Sequence, residues 1–288
     1  MTSSTVILVG HLRRADIDGV ARAAVVWLNE RGFRVSAESD DALALGITGD
    51  LTLPFADVDP ADIGLVVSIG GDGTMLRAVS LLRGRAVPIL GVNAGLLGYL
   101  SEVEPDQLLE ALERFVSGDH VLEYRMMLDV LVRRTSGAEQ THRALNEASL
   151  EKTRSGQTVR LAVSIDGVPF TTYQADGLLV ATPTGSTAYS LSARGPIVSP
   201  THRALIVTPL APHMLFDRSL VLDPSEYVEV EVTGTRPVEL AVDGQEVCIL
   251  EEGDSISCRA SSDQAVLVRL EPRRFHQVLK AKFGLADR

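Results

Sequence analysis

Ile63-Gly64-Leu65-Val66-Val67-Ser68-Ile69-Gly70-Gly71-Asp72-Gly73-Thr74-Met75-Leu76-Arg77-Ala78-Val79 is the stretch on which the fold turns. Its first seven residues read as a buried strand and its last six begin a helical pattern, with three glycines and one carboxylate at the junction. Glycine allows positive φ and close approach of a phosphate chain to main-chain N–H groups, and a helix N-terminus adds a favourable dipole. A carboxylate beside bound phosphates repels them. Asp72 therefore reads as a base or metal contact, while Gly71, Gly73 and Thr74 read as the phosphate-facing part of the turn.

Working outward, residues 6–9 read as a first strand, 20–31 as a helix ending at Gly32, 33–35 as a second strand, 87–92 as another strand and 105–116 as a helix. This alternation predicts a parallel sheet covered by helices, with ligands outside the carboxyl ends of the strands. Both Gly70 to Thr74 and the glycine-rich run Gly91-Val92-Asn93-Ala94-Gly95-Leu96-Leu97-Gly98-Tyr99-Leu100 fall there. In the second run Tyr99 could stack on a purine, at about 1 kcal/mol, or be a core tyrosine. After Gly118 the pattern becomes β-rich, with strand-like segments at 124–133, 141–151, 158–165, 178–181, 204–207 and 227–232. Asp166-Gly167 and Asp243-Gly244 are hairpin signals. Residues 272–283 carry Phe275, Val278, Leu279 and Phe283 at helical spacing, as a docked helix would. The fold class expected is an α/β N-terminal domain with a parallel sheet plus a β-rich second domain.

Two features of the β-rich part carry chemistry. Asn146 and Glu147 interrupt a strand-like pattern, and because neighbours on a strand point to opposite faces, one of them can turn inward and need partners such as ribose hydroxyls; a bulge or strand-end turn reads equally well. From Asp176, the run Thr182-Pro183-Thr184-Gly185-Ser186-Thr187-Ala188-Tyr189-Ser190-Leu191-Ser192 offers a density of hydroxyls suited to nucleotide sugars and amides.

Composition bounds the alternatives. The 288 residues suit two domains, and 27 Lys+Arg against 38 Asp+Glu, a net charge of −11, argue against a nucleic-acid partner. No apolar stretch has transmembrane length and the N-terminus lacks a basic segment before its short apolar run, so a cytoplasmic protein is expected. Cys248 and Cys258 read as buried thiols. No Walker lysine loop occurs, which excludes a P-loop ATPase, and no Rossmann fingerprint; the six histidines lack metal spacing, so a structural or catalytic zinc is not expected, nor is a dedicated protein cage for a metal.

With these motifs in this order, the chain resembles the bacterial NAD kinases from about Ile69 to Gln245. The resemblance rests on Gly70 to Thr74, Gly91 to Leu100, Asn146-Glu147 and Asp176 to Ser192, with weaker support from Pro212-His213 and Asp243-Gly244-Gln245. It implies transfer of the γ-phosphate of ATP, with Mg²⁺, to the 2′-hydroxyl of the adenosine ribose of NAD, with Asp72 as the base. It places Asn146, Thr187, Ala188 and Ser192 around the adenosine half and Tyr189 and Asp176 towards the nicotinamide half, in a homodimer or homotetramer. Glu147 and Gln245 match further nucleotide contacts, and Ser190 and Leu191 fall within the same run. The implied domains are 1–119 with 266–288 returning to it, and 120–265. Arg194 stands where glycine is expected, and Gln157 and Gln174 stand where relatives carry a basic or imidazole group near a phosphate; Lys152, Arg154 or Arg160 could compensate. Arg77, one helical turn beyond the glycines, is a candidate to neutralise the transferring phosphate, or simply part of a solvated face. A catalytically silent NAD(P)-binding regulator and a lipid or small-molecule kinase sharing only the glycine turn are the alternatives.

Overall fold

A strand buried on both faces needs apolar residues at successive positions, and the segments flanking the glycine turn have them. In the computed structural model, which describes residues 4–10, 18–47, 53–95, 98–271 and 275–285, the chain forms two compact units, Met1–Tyr124 with Ala265–Arg288, and Arg125–Gln264.

The first unit contains β1 (Thr5–Gly10), α1 (Asp18–Glu30), β2 (Arg34–Ala37), α2 (Ser39–Ala44), β3 (Leu53–Pro54), β4 (Ile63–Gly70), α3 (Asp72–Leu81), β5 (Pro88–Asn93) and α4 (Leu108–Ser117). The strands β5-β4-β1-β2-β3 are parallel neighbours in that order. Ile7, Leu8, Val66, Val67, Ile69 and Leu90 are completely buried, as a sheet covered on both sides requires. The helices contribute stripes at helical spacing, such as Ala21, Ala24, Val25 and Leu28 of α1 and Leu108, Ala111 and Leu112 of α4. Gly118 ends α4 in the left-handed conformation, φ 81°, where a side chain would be strained.

The second unit is built from β6 (Val121–Arg133), β7 (Glu139–Ala144), β8 (Glu147–Lys152), β9 (Val159–Ile165), β10 (Val168–Ala175), β11 (Gly177–Ala181), α5 (Tyr189–Ser192), β12 (Leu205–Leu210), β13 (Leu220–Leu222), β14 (Tyr227–Val232), β15 (Val238–Val242), β16 (Gln245–Leu250) and β17 (Ser255–Arg269). Two antiparallel sheets, β10-β9-β14-β17 and β13-β12-β11-β8-β15-β16, share one core that includes Leu161, Val163, Val230 and Ile256 from the first and Leu150, Val180, Val207 and Leu240 from the second. Asp166-Gly167 (φ 50° and 74°) and Asp243-Gly244 (φ 50° and 75°) form the expected hairpin turns, both residues of each pair having positive φ. The end of β17 enters the first unit, where Val266 and Leu267 pair parallel with β5. The chain closes with α6 (Phe275–Phe283).

Two local expectations change. The segment 141–151 is two strands, because its backbone donors at Leu145, Asn146 and Glu147 turn to the carboxylate of Asp243 instead of a neighbouring strand. The final helix begins at Phe275, residues 272–274 lying outside those described, and Phe283 is half exposed, so only Phe275, Val278 and Leu279 form its partly buried stripe.

Candidate active site

The turn from β4 into α3 places Asp72 in the first helical position, with Gly71 as the N-cap. A negative charge there is favoured by the helix dipole. The turn glycines do not supply positive φ, contrary to the expectation from sequence. Gly70 is needed for packing, since a Cβ there would lie 2.2 Å from Thr74 Oγ1, while Gly71 and Gly73 leave open space beside the helix N-terminus.

The second glycine-rich run holds Asp72. Gly70 of β4 pairs with Asn93 of β5, so the two strand-end loops are neighbours. Tyr99 N–H donates to Asp72 Oδ2 at 2.9 Å and Leu100 N–H donates to Oδ1 at 3.0 Å. Gly98 must be glycine, because its Cβ would fall 2.3 Å from Asp72 Oδ1. Each carboxylate oxygen thus has one backbone donor and keeps capacity for a further partner. Burial and then the charge of Asp72 push the Tyr99 phenol up. Leu96 and Leu97 of this run lie outside the described residues.

Arg77 does not stand free one turn along. Its guanidinium donates to Asp41 Oδ1 at 2.7 Å and to the Gly10 carbonyl at 2.9 Å, balancing a carboxylate that is fully buried. This pairing ties α3 to β1 and α2, a structural duty that the sequence position alone does not signal.

In the second unit, Asp243 organises the break between β7 and β8. Its Oδ2 accepts Leu145 N–H at 2.8 Å, and its Oδ1 accepts Asn146 N–H at 2.7 Å and Glu147 N–H at 3.2 Å. The Asn146 carbonyl accepts Thr182 N–H, and Gly185 approaches so closely that a Cβ there would sit 2.1 Å from that carbonyl oxygen. Asn146 is therefore at a turn, and Glu147 is the inward residue, 7% exposed. Glu147 takes the Tyr189 backbone N–H, but its Oε2 has no partner. Burial, then the charge of Asp243, pushes its carboxyl up to about 8.

The hydroxyl-rich run stitches its own loop and ties it to the break between β7 and β8. Thr182 Oγ1 donates to the Leu145 carbonyl, Ser186 Oγ to that of Pro183 and Thr187 Oγ1 to that of Thr184, while Ser190 shares a hydrogen bond with Thr208 and is fully buried. Ala188 and Leu191 are partly exposed, and Ser192 is exposed. The Tyr189 hydroxyl donates to Glu151, and burial with that carboxylate pushes the phenol up to about 12. Asp176 pairs with Lys152 at 2.6 Å. Gln157 and Gln245 are exposed. Gln174 lines a cavity of about 410 Å³ with Thr158, Arg160, Gly234, Arg236 and Glu252. Lys152 is thus engaged, whereas Arg160 and Arg236 flank Gln174.

Arg194 has φ 64°, the conformation for which glycine is the ordinary choice. Arg194→Gly is expected to raise the unfolding free energy by about 0.5–1 kcal/mol, relief of the left-handed strain outweighing the extra freedom of the unfolded chain. Urea midpoints of the two proteins check this; an unchanged or lower midpoint contradicts it. Sequence reasoning passed over Gly98 and Leu100 as Asp72's supports and Asp243 as a scaffold. The only signals were a glycine spacing and an Asp-Gly turn.

A parallel sheet whose adjacent strand-end loops fix one carboxylate at a helix N-terminus, in a chain that also carries a polar loop over an antiparallel sandwich, defines a small-molecule kinase. Residues 6–120 match the ATP-NAD kinase N-terminal domain and residues 145–270 the ATP-NAD kinase C-terminal domain. The chain is 38% identical over 271 residues to the NAD kinase of Geobacter sulfurreducens, covering 94% of each protein. Among solved structures it is similar to yeast NADH kinase complexed with NADH (TM-score 0.89, 25% identity, 99% of this chain and 89% of that one). It also matches the fold of an Archaeoglobus fulgidus NAD kinase in complex with ATP (TM-score 0.70, 24% identity, 97% of both chains). The chain belongs to the ATP-NAD kinase family. Its reaction is transfer of phosphate from ATP to NAD.

Proposed function

We propose that the phosphate moved is the γ-phosphate of ATP, that it goes to the 2′-hydroxyl of the adenosine ribose of NAD to give NADP, and that Asp72 is the general base. The observation that carries this is the double hydrogen bond from Tyr99 and Leu100, which orients the carboxylate while leaving capacity on both oxygens. As the ribose oxygen forms its bond to phosphorus and the bond to the β-phosphate oxygen breaks, Asp72 takes the hydroxyl proton; such positioned bases contribute about 10² to 10⁴ in rate. The Asp72 oxygens are hard donors of the kind Mg²⁺ accepts, so an ion entering with ATP fits here, and it would neutralise charge on the donor phosphates. Gly71, Gly73 and Thr74 offer the helix N-terminus to those phosphates.

For the dinucleotide, Asn146, Glu147, Thr187, Ala188 and Ser192 serve the adenosine half and Tyr189 and Asp176 the nicotinamide half, with Gln245 beside them. Arg160 and Arg236, flanking Gln174, supply charge near a phosphate in place of a basic residue at that position. The enzyme works in the cytoplasm as a homodimer or homotetramer. No helix among the described residues is long and apolar enough to cross a membrane, and exposed Val168 and Phe170 on the edge strand β10 give self-association an apolar patch. A monomer mass by light scattering contradicts the assembly.

The test is incubation of the purified chain with ATP, Mg²⁺ and NAD. The product should be accepted by an NADP-specific dehydrogenase. A product phosphorylated elsewhere on NAD, which that dehydrogenase rejects, contradicts the 2′ assignment.

A further inference from the structure

A phosphoryl donor entering the glycine turn meets a carboxylate in a chain of net charge −11, so some cation must offset the repulsion. Arg77 is committed to buried Asp41. The structure brings a different cation to the loop that holds Asp72. In the last turn of α6, Lys282 places its ammonium 4.2 Å from the centre of the Tyr99 ring, and the backbone N–H of that same Tyr99 is bonded to Asp72. Lys282 is exposed, and the segment 265–288 belongs to the same unit as the glycine turn, so this placement is internal to that unit.

We propose that Lys282 is a ligand of the donor phosphates of ATP, delivered by the C-terminal helix. This rests on reading the glycine turn as the ATP end of the site. An ammonium that is itself exposed to solvent is held weakly by the half-buried Tyr99 ring, and a four-carbon stem lets it leave. Phosphate oxygens offer it short, charge-assisted hydrogen bonds, a stronger arrangement than the ring provides. Tyr99 then acts as a parking surface that keeps the cation near Asp72 without neutralising the base. Lys282 keeps its proton throughout; it neutralises charge and transfers nothing.

The experiment measures equilibrium binding of a non-hydrolysable Mg-ATP analogue to the full chain and to Lys282→Met and Lys282→Arg, alongside KM for ATP and for NAD. Lys282→Met should weaken analogue binding and raise KM for ATP about 10-fold, leave KM for NAD within about 2-fold, and be largely restored by arginine. Thermal melts show whether each variant is folded. Analogue binding within 2-fold of the wild type, or a parallel rise in both KM values, overturns the proposal. Because the binding arm does not depend on turnover, it judges Lys282 even if Asp72 proves not to be the base, a failure that Asp72→Asn exposes separately.

Discussion

Asp72→Asn is expected to lower kcat for NADP formation by about 10² to 10⁴-fold while leaving KM for NAD within about 3-fold. The replacement preserves size but removes basicity. An amide can accept only one of the two N–H groups that the carboxylate takes from Tyr99 and Leu100, so the 98–100 loop also loses a hydrogen bond, at about 1–3 kcal/mol. A melting curve separates that structural cost from the chemical one. Gly98→Ala isolates the positioning contribution: the added Cβ pushes on Asp72 Oδ1 from 2.3 Å and should reduce kcat by about 10-fold with the base still present. If Asp72→Asn turns over at near-normal rate, Asp72 is not the base.

The second large effect lies in the other unit. Glu147 shares its surroundings with Asp243, and the two differ in what satisfies them. Asp243 accepts three backbone N–H groups, which hold its charge against the burial that pushes it up, whereas Glu147 has one such donor and an unpartnered Oε2. The glutamic acid is therefore the member that keeps a proton. With its carboxyl raised from 4.5 to about 8, the folded chain holds a proton that the unfolded chain releases between those values. This group's effect on stability is thus most favourable below about pH 4.5, declines as pH rises through the window, and levels off above about pH 8. The total decline is on the order of 5 kcal/mol. Glu147→Gln should flatten the dependence, matching the wild type near pH 5 and exceeding it by that order at pH 8.5 in urea unfolding. Parallel wild-type and variant curves across this range contradict a protonated Glu147.

Much of the architecture was legible because the residue pattern is locally determined. Near-continuous apolar runs such as that from Ile63 to Ile69 read as a doubly covered strand, and Asp166-Gly167 and Asp243-Gly244 carry the residues that a turn with two positive φ angles requires. Arg194 was recognisable only as a departure from the family's pattern, and the structure supplies the backbone reason, a φ of 64°. The site was legible as a set of residue types. Which of them act, and which merely hold, was less so: the hydroxyls of Ser186 and Thr187 turned out to bond carbonyls within their own loop, and that of Thr182 the Leu145 carbonyl at the break between β7 and β8.

By itself, the sequence determined that a strand ends in glycines and one carboxylate, that a second glycine-rich loop follows the next strand, and that the family's order of motifs is present. Those are properties of neighbours along the chain. Only the tertiary structure decided that the second loop donates two N–H groups to Asp72, that Arg77 answers Asp41, that Asp243 draws three amides away from the sheet, and that Lys282 lies over Tyr99. Each is a contact between residues at least 27 positions apart. Hydrogen bonds and ion pairs depend on ångström-scale position, which residue order cannot supply until the chain has folded.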